Sequence, residues 1–263
     1  MAITAKDVQT LRTATGVGMM DAKKALEANN GDMDAATQWL RVQGLASAAK
    51  RADRDASEGA VAVVKDGNAA AIVELKCETD FVAKSDDFVT LVDEMAAKVA
   101  TDGEGALDSF KDRLETMLTT LKENISIGRV YRLVAGEGEV IETYLHQQAG
   151  RGVGAVIVVM KDGSSELAHD VCVHVAFAKP QCLNRSEVPA AEVEAERATV
   201  EEISRNEGKP EAALPKIIEG RLNAWYKDRV LLEQPYVKDE KQSIEQFIGK
   251  ASITAFAQVF IGA

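Results

Sequence analysis

The sequence predicts an α+β protein with an N-terminal bundle of three helices, two related α+β subdomains with small antiparallel sheets, and a projecting helical hairpin. Three observations lead to this prediction. Apolar residues recur at helical spacing over residues 4–43, whereas short β-rich runs begin after residue 57. A strand, a polar turn and a helix occur twice in the same order, and two helical apolar stripes follow Pro189. The predicted units are residues 1–54 (bundle and linker), 55–134 (first subdomain), 135–186 with 228–263 (second subdomain) and 187–227 (hairpin inserted in the second subdomain).

The first predicted unit consists of three short amphipathic helices separated by glycine-containing turns. The first helix ends at Thr15-Gly16-Val17-Gly18, the second covers residues 19–28, and Asp32 can cap the third. A core of about 40 residues is marginal, so such a bundle is more typical of a docking module than of a catalytic scaffold. Residues 44–57 are expected to form a linker that is helical in part.

The next part of the chain carries the signals of two small sheets with helices. Residues 59–64 and 69–75 flank Lys65-Asp66-Gly67-Asn68, whose Asp-Gly step favours a β-hairpin. The elements expected to follow are helices at 86–100 and 107–121, strands at 125–134, 140–145 and 153–160, and a helix at 166–178. The plan of residues 71–98 recurs at 155–179, which we interpret as an internal duplication.

Residues after Pro189 predict two facing helices and then a return to the second subdomain. The apolar stripes are Val193, Val200 and Ile203 in the first helix, and Leu214, Ile217, Ile218, Leu222 and Trp225 in the second. A turn at 206–210 joins them into a hairpin. A strand near Val230, a helix at 243–250 and a strand at 253–261 are expected to complete the second subdomain.

The charge distribution argues against a general nucleic-acid-binding protein. The net charge is −11, whereas affinity for phosphate comes from clustered Lys and Arg. Residues 1–54 carry 8 Lys/Arg and 6 Asp/Glu, and the remaining residues carry 23 and 36. We therefore expect a separate N-terminal module and no direct contact with nucleic acid.

Cysteine content and hydropathy indicate a cytoplasmic protein that does not contact a membrane. Cys77, Cys172 and Cys182 are an odd number, and the first residues lack the apolar run of a signal peptide. No apolar stretch in the sequence approaches the roughly 18–20 residues of a membrane span.

Other motifs give little indication of catalysis or ligand binding. Residues 150–154 are glycine-rich but lead into an apolar strand, whereas a phosphate loop leads into a helix, so we expect a hairpin turn. His169 and His174 are five positions apart in one predicted helix and so lie on different faces. Cys77 has no histidine near it in sequence to act as a base. We predict no metal, cofactor or catalytic residue.

Two apolar motifs can be interpreted in two ways. Thr79-Asp80-Phe81-Val82 lies between a strand and a helix, and its phenylalanine is directed either into the core or towards a partner. The pattern alone favours the core. Met19-Met20 follows a glycine turn and is either core filler or an adaptable docking surface.

At these residues the chain resembles bacterial elongation factor Ts. The matching segments are Thr-Gly-Val-Gly-Met-Met-Asp-Ala-Lys-Lys-Ala-Leu (15–26), Asn-Gly-Asp-Met-Asp-Ala-Ala (30–36) and Cys-Glu-Thr-Asp-Phe-Val-Ala-Lys (77–84). The similarity covers essentially the whole chain, including 208–210 and 219–221 in the hairpin. Members of this family are guanine-nucleotide exchange factors for elongation factor Tu. The resemblance implies a ubiquitin-associated-like (UBA-like) bundle, two related core subdomains and a coiled-coil hairpin.

The resemblance also implies which residues contact elongation factor Tu. Those expected to approach its magnesium and phosphate region are Thr79, Asp80, Phe81 and Val82, with Phe81 as an aromatic wedge. Those that match docking positions are Arg12, Met19, Met20 and His146. The loop at 146–154 is longer and more glycine-rich than the usual family pattern. An exchange factor of this kind performs no covalent chemistry.

Two other functional classes remain open from the sequence. A stand-alone enzyme would use Cys77 or His146, and a scaffold or chaperone would bind elongation factor Tu without changing nucleotide release. The oligomeric state is also open, because the exposed stripe of the hairpin can pack on the core, on a second copy or on the partner. A homodimer and a 2:2 complex with elongation factor Tu are both compatible with the sequence.

Overall fold

Three helices form the N-terminal part of the computed structural model, which describes residues 3–262 apart from the side chain of Ala49. They are α1 (Ala5–Thr15), α2 (Met19–Ala28) and α3 (Met33–Ala49). Their shared core consists of Val8, Leu11, Ala22, Ala25, Leu26 and Ala36. The helix α3 is longer than predicted, so the expected linker at residue 44 begins inside it.

The first sheet follows this bundle and is covered by helices. Its elements are β1 (Glu58–Asp66), β2 (Ala69–Cys77), α4 (Asp80–Ala83), α5 (Asp86–Asp102), α6 (Lys111–Leu121) and β3 (Ser126–Val134). The strands are antiparallel in the order β1-β2-β3. Glu104–Phe110 forms a 3-10 helix before α6, where a single helix was predicted from residue 107.

The second sheet is built from β4 (Glu139–Gln148), β5 (Arg151–Lys161) and β8 (Ser252–Phe260) in the antiparallel order β4-β5-β8. Its helix is α7 (Ser165–Ala178). Only Ala149 and Gly150 form the turn between β4 and β5, with φ values of 52° and 81°. The predicted hairpin is therefore present, but residues 151–154 belong to the strand and not to the turn.

A helical hairpin and a small β-ribbon lie between α7 and β8. The elements are α8 (Ala190–Asn206), α9 (Leu214–Arg229), β6 (Pro235–Tyr236), β7 (Asp239–Ser243) and α10 (Ile244–Ile248). The two long helices pack through Val200, Leu214, Ile218 and Leu222. Ile203 was assigned to the same stripe, but its side chain is exposed. The strand predicted near Val230 is a single bridge to Cys182. None of the helices within residues 3–262 has the length and apolar character to cross a membrane.

The two sheets pack face to face, with helices on their outer faces. In β2, Ala71, Val73 and Leu75 belong to the core shared with α5. The alternate residues Ala70 and Ile72 join a second core with the other sheet. The outer face of β5 packs against α7 in a third core. Both central strands are thus buried on both faces, which explains why they are continuous apolar runs.

The two sheets share one topology. Each consists of a β-hairpin whose second strand pairs with a later third strand, and a helix follows each hairpin. This repeat agrees with the predicted duplication and with the α+β class. The unit boundaries at residues 54, 134 and 186, the UBA-like character of the bundle and the coiled-coil character of the hairpin remain predictions.

Candidate functional site

The segment after β2 presents Phe81 on a one-turn helix. Thr79 caps α4, because its Oγ1 accepts the Val82 N–H at 3.4 Å. In the same turn Ala83 is buried and Val82 packs against the core of the first sheet. Phe81 consequently points away from the core and is 83% exposed. The preference of the sequence pattern for a buried phenylalanine is wrong at this position.

Glu123, in the loop between α6 and β3, holds this turn through hydrogen bonds. Its carboxylate accepts the backbone N–H groups of Glu78 at 3.1 Å and Thr79 at 3.0 Å, and the Thr79 hydroxyl at 2.5 Å. The backbone N–H of Asn124 donates in return to the Glu78 carboxylate at 2.7 Å. Since these contacts fix the residues just before Phe81, the exposed ring stands on a backbone with little freedom.

Asp80 is the first residue of α4 and directly precedes Phe81. Lys84 donates to its Oδ2 at 2.5 Å. This hydrogen bond holds the pKa of Asp80 below its ordinary value, and the charges of Lys84 and Arg151 act in the same direction against slight desolvation. The turn therefore combines an exposed aromatic ring with an adjacent ionised carboxylate that is paired with Lys84.

Cys77 is the last residue of β2 and is fully buried. Burial, reinforced by the Glu123 carboxylate, raises the pKa of its thiol to about 12. Its Sγ lies 3.2 Å from the carbonyl oxygen of Thr79. A neutral, buried thiol packs well but is a poor nucleophile, so the geometry gives no support to an enzyme that uses Cys77.

The predicted docking residues of the bundle are all on its surface. Arg12 is exposed near the end of α1, and Met19 and Met20 open α2 with 45% and 63% of their surfaces exposed. Neither methionine belongs to the bundle core, so the core-filler interpretation of this pair is wrong. Flexible, exposed methionines suit an adaptable contact surface.

Three consecutive residues connect the bundle to the Phe81 turn. Lys122 pairs with Asp21 of α2 at 2.8 Å. Glu123 holds the turn as described, and the Asn124 side chain donates to the carbonyl oxygens of Ala52 and Arg54. This short connection places the two groups of predicted contacts on one framework. Sequence analysis missed it, because hydrogen-bond partners so far apart along the chain leave no periodic signal.

His146 lies near the end of β4 and is exposed, opposite Gly154 of β5. Phe177, at the end of α7, lines the same surface depression and is 78% exposed. Sequence analysis also missed this phenylalanine, since it occurs within an otherwise regular helical pattern. The depression is further lined by Glu58 and Arg151, which connect it to β1.

The other histidines are far from forming a metal site. His169 is exposed and His174 is buried on the same helix, as the sequence predicts. Within residues 3–262, no cluster of three or more His, Cys, Asp or Glu side chains is arranged to hold a metal ion. The exposed side chains described above lie on the Phe81 turn, on the His146 hairpin and on the methionine pair of α2.

Comparison with known proteins identifies the family. A family model described as Elongation factor TS matches residues 78–263. Elongation factor Ts of Kineococcus radiotolerans is 43% identical to this chain, with 100% of the chain and 99% of the relative aligned. The chain belongs to the elongation factor Ts family. Other elongation factor Ts relatives are from Clavibacter michiganensis (44% identical, 99% and 98% aligned) and Ruegeria pomeroyi (42% identical, 100% and 93% aligned). Membership of the elongation factor Ts family supports a role in translation elongation.

Proposed function

We propose that this chain is the guanine-nucleotide exchange factor for elongation factor Tu. It binds the GDP-loaded partner and promotes GDP release by disturbing the magnesium and phosphate site, after which GTP can bind. The observation that carries the proposal is the exposed Phe81 beside the ionised Asp80, on a turn held by Glu123. The proposed site of action is the cytoplasm, and the mechanism involves no covalent step.

Magnesium is the sensitive element of such a nucleotide site. The ion requires nearly octahedral coordination, so a small displacement of its ligands weakens its binding and that of the phosphates. A rigidly held wedge can produce this displacement by binding better to the distorted partner than to the undistorted one. The coupling is reciprocal. The exchange factor lowers the affinity of elongation factor Tu for GDP by the same ratio by which GDP lowers its affinity for the exchange factor.

The energy available from Phe81 is sufficient for a useful effect. Burying one phenylalanine side chain contributes about 1.5–3 kcal/mol. Each 1.4 kcal/mol or so changes an affinity tenfold, so this single contact can change GDP affinity by about 10- to 100-fold. The adjacent Asp80 carboxylate is an oxygen ligand of the kind that Mg²⁺ accepts, and it can compete for the metal ion when its ion pair with Lys84 opens.

The remaining predicted contacts serve to hold elongation factor Tu in place. Arg12, Met19 and Met20 form the docking surface of the bundle, and His146 forms a separate one on the second sheet. Contacts of this kind lower the dissociation constant without themselves distorting the nucleotide site. The proposal thus assigns distortion to residues 79–82 and affinity to the docking residues.

The test is the rate at which labelled GDP leaves elongation factor Tu in a stopped-flow experiment. We expect Phe81→Ala to fold normally and to accelerate release about 10- to 100-fold less than the unmodified chain. Val134→Ala is the matched control, since Val134 is also an exposed apolar residue but pairs with Ala69, at the end of β2 opposite to the Phe81 turn. Release at the unmodified rate with Phe81→Ala would refute the wedge.

A further inference from the structure

Arg151 is a buried arginine that joins the two sheets. Only 10% of its side chain is exposed, at the first position of β5. Its Nη2 donates to the Glu58 carboxylate at 2.7 Å, and its Nη1 donates to the backbone carbonyl of Gly59. Both acceptors belong to β1, so one guanidinium group holds the start of β5 against the start of β1.

The start of β1 and the start of β5, which Arg151 joins, lie beside the two predicted contacts with elongation factor Tu, the Phe81 turn and His146. Glu58 pairs with Cys77, the residue from which the chain enters the turn that presents Phe81. Arg151 pairs with Gln148, two residues after His146 on the adjacent strand. The Arg151 side chain therefore links the His146 hairpin to the end of β1 that pairs with the residue before the Phe81 turn.

The backbones leave little room for adjustment at this crossing. A Cβ atom on Gly152 would lie 2.0 Å from the carbonyl oxygen of Val61, so only glycine allows β5 to approach β1 this closely. Gly152 sets the separation of the strands, but it does not fix how the hairpin is oriented about the crossing. The two hydrogen bonds from the planar guanidinium group do fix an orientation.

Stability alone does not account for an arginine at this position. The Nε of Arg151 is buried and lacks a hydrogen-bond partner within the described part of the chain. A buried ion pair contributes little or no net stability compared with well-packed apolar residues, whereas it can enforce one arrangement of the elements that it joins. The incomplete hydrogen bonding is consistent with a group retained for orientation.

We propose that Arg151 is a positioning residue for nucleotide exchange, which holds the Phe81 turn and the His146 hairpin in the relative orientation that elongation factor Tu requires. This inference rests on the proposed function. Two contacts held in advance on a rigid frame avoid the entropic cost of being ordered on binding. Arg151 thus contributes to affinity without touching the partner.

A comparison of variants separates positioning from a general structural role. The quantity to measure is the dissociation constant for nucleotide-free elongation factor Tu, which the methionine contacts keep measurable when Phe81 is removed. We expect Arg151→Met to weaken binding about tenfold in the unmodified chain. In the Phe81→Ala background the same change should have an effect at least about threefold smaller, because one of the two positioned contacts is gone.

Arg129→Met is the matched control. Arg129 also joins the sheets, through the buried Glu74 carboxylate and the carbonyl oxygen of Phe260, but it does not contact the strand ends beside Phe81. Its removal should lower the melting temperature and change affinity by the same factor in both backgrounds. If Arg151→Met folds poorly, Glu58→Gln removes the carboxylate charge of the same ion pair at a partly exposed side chain. Glu58→Gln should also weaken binding less in the Phe81→Ala background than in the unmodified chain.

The possible outcomes distinguish this inference from the proposed function. An equal effect of Arg151→Met with and without Phe81, as for Arg129→Met, overturns the positioning role but leaves the wedge intact. If Phe81→Ala accelerates GDP release as much as the unmodified chain does, the wedge mechanism is refuted and the inference fails with it, although the chain is still an exchange factor. A smaller effect of Arg151→Met in the Phe81→Ala background, with normal folding, supports both.

Discussion

Phe81 shows how an exposed residue can be strongly constrained. The ring itself has few contacts with its own chain, so its removal should change the free energy of unfolding by no more than about 0.5 kcal/mol. The constraint lies in the backbone, where Thr79 and Glu123 determine the direction of the side chain. Under the proposed function, a variant at Phe81 should therefore change the free energy of binding to elongation factor Tu and leave the free energy of unfolding almost unchanged.

The buried thiol of Cys77 gives a prediction at the same scale. Because its pKa is raised to about 12, the thiol stays protonated at neutral pH, and burial excludes reagents as well. We expect Cys77 to react with an aromatic disulfide reagent at about pH 8 only as fast as the chain opens or unfolds.

The measurement is the rate of thiol labelling followed by mass spectrometry of the peptide that contains Cys77. The same reagent in denaturant, where all three thiols are accessible, provides the reference. Complete labelling of Cys77 within the mixing time of the folded protein would contradict the assignment of a neutral, inaccessible thiol.

Sequence analysis predicted individual residues unevenly, for physical reasons. Met19, Met20 and His146 were assigned to the surface by resemblance, and they are exposed. Phe81 was ambiguous because a break of four residues has no periodicity from which a buried face can be inferred. Glu123 acts through hydrogen bonds to residues about 45 positions earlier, which only the folded chain brings together.

At the scale of elements, the turn before α4 depends on one carboxylate. Glu123→Ala would leave the backbone N–H groups of Glu78 and Thr79 without their acceptor. Hydrogen bonds to a charged group contribute about 1.5–3 kcal/mol, so we expect the free energy of unfolding to fall by an amount of this order. GDP release should also slow, because the support of Phe81 is loosened.

Urea unfolding and stopped-flow GDP release check the two parts of this prediction. Glu137→Ala is the control, since Glu137 is exposed in the turn before β4 and its removal should change stability by less than about 0.5 kcal/mol. Normal GDP release by Glu123→Ala would show that the turn keeps its geometry without this acceptor.

His174 joins α7 to the two residues that flank β6, and it makes stability depend on pH. His174 Nε2 lies 3.0 Å from Gln234 Oε1, and the Val237 N–H donates to its Nδ1. Burial lowers the pKa of His174, against the opposing effect of the Gln234 hydrogen bond. Protonation at Nδ1 would break the Val237 contact and bury a charge.

We therefore expect acid to destabilise the fold through His174. An unfolded histidine takes up a proton below about pH 6.5, whereas the folded one remains neutral until a lower pH. The contribution of neutral His174 to the free energy of unfolding is fully present above about pH 6.5. It is lost as the pH falls towards the folded-state pKa, at up to about 1.4 kcal/mol per pH unit.

Urea unfolding at about pH 7.5 and pH 5.5 measures this loss for the unmodified chain and for His174→Gln, which should lose less stability between the two pH values. His169→Gln removes an exposed histidine of the same helix and should behave like the unmodified chain. An unchanged pH dependence in His174→Gln would assign the acid sensitivity to other groups.

The differences between predicted and observed elements occur where local and tertiary effects compete. The order and type of the long helices and strands followed from periodicity. The 3-10 helix at Glu104–Phe110 was missed because its residues are compatible with either helix type, and packing of Phe110 into the first core selects the tighter one. Val230 lies in a strand-like stretch of sequence but forms a single isolated β-bridge, with Cys182.

On the scale of the whole molecule, the bundle is positioned by close packing against α6. Arg41 pairs with Asp112 at 2.9 Å and Glu115 at 2.7 Å. At Gly44 an added Cβ would lie 2.4 Å from the Thr119 side chain, and the β-branched threonine has little freedom to move in a helix. Any residue larger than glycine at position 44 would therefore clash with α6.

Gly44→Leu should separate the bundle from α6 while each part remains folded. Met19 and Met20, the proposed docking residues, would then no longer be held relative to Phe81, so under the proposed function we expect binding to elongation factor Tu to weaken by about tenfold or more. Calorimetry measures the affinity, and small-angle scattering measures the expected increase in the radius of gyration.

Gly220→Ala is the control for this substitution. Gly220 lies in α9 with open space around its Cβ position, so alanine should leave binding unchanged and slightly stabilise the helix. Unchanged binding and dimensions in Gly44→Leu would show that another contact fixes the bundle.

The repeat of strand and helix along the chain was visible in the sequence, but the packing of the two sheets on each other was not. A continuous apolar run indicates a strand that is buried on both faces, but it carries no information about which surface covers each face. The close crossing at Gly152 and the link through Arg151 depend on backbone positions that appear only once both sheets exist.

The face-to-face sheets have a consequence for how the protein is made. The first sheet is complete once residue 134 has been synthesised, yet its inner face is covered partly by Ala257 and Val259 of β8. At about 5–20 residues per second, more than a hundred further residues take several seconds or longer to add. We therefore expect the nascent N-terminal half to expose an apolar sheet surface during that interval and to need protection from aggregation until synthesis is nearly finished.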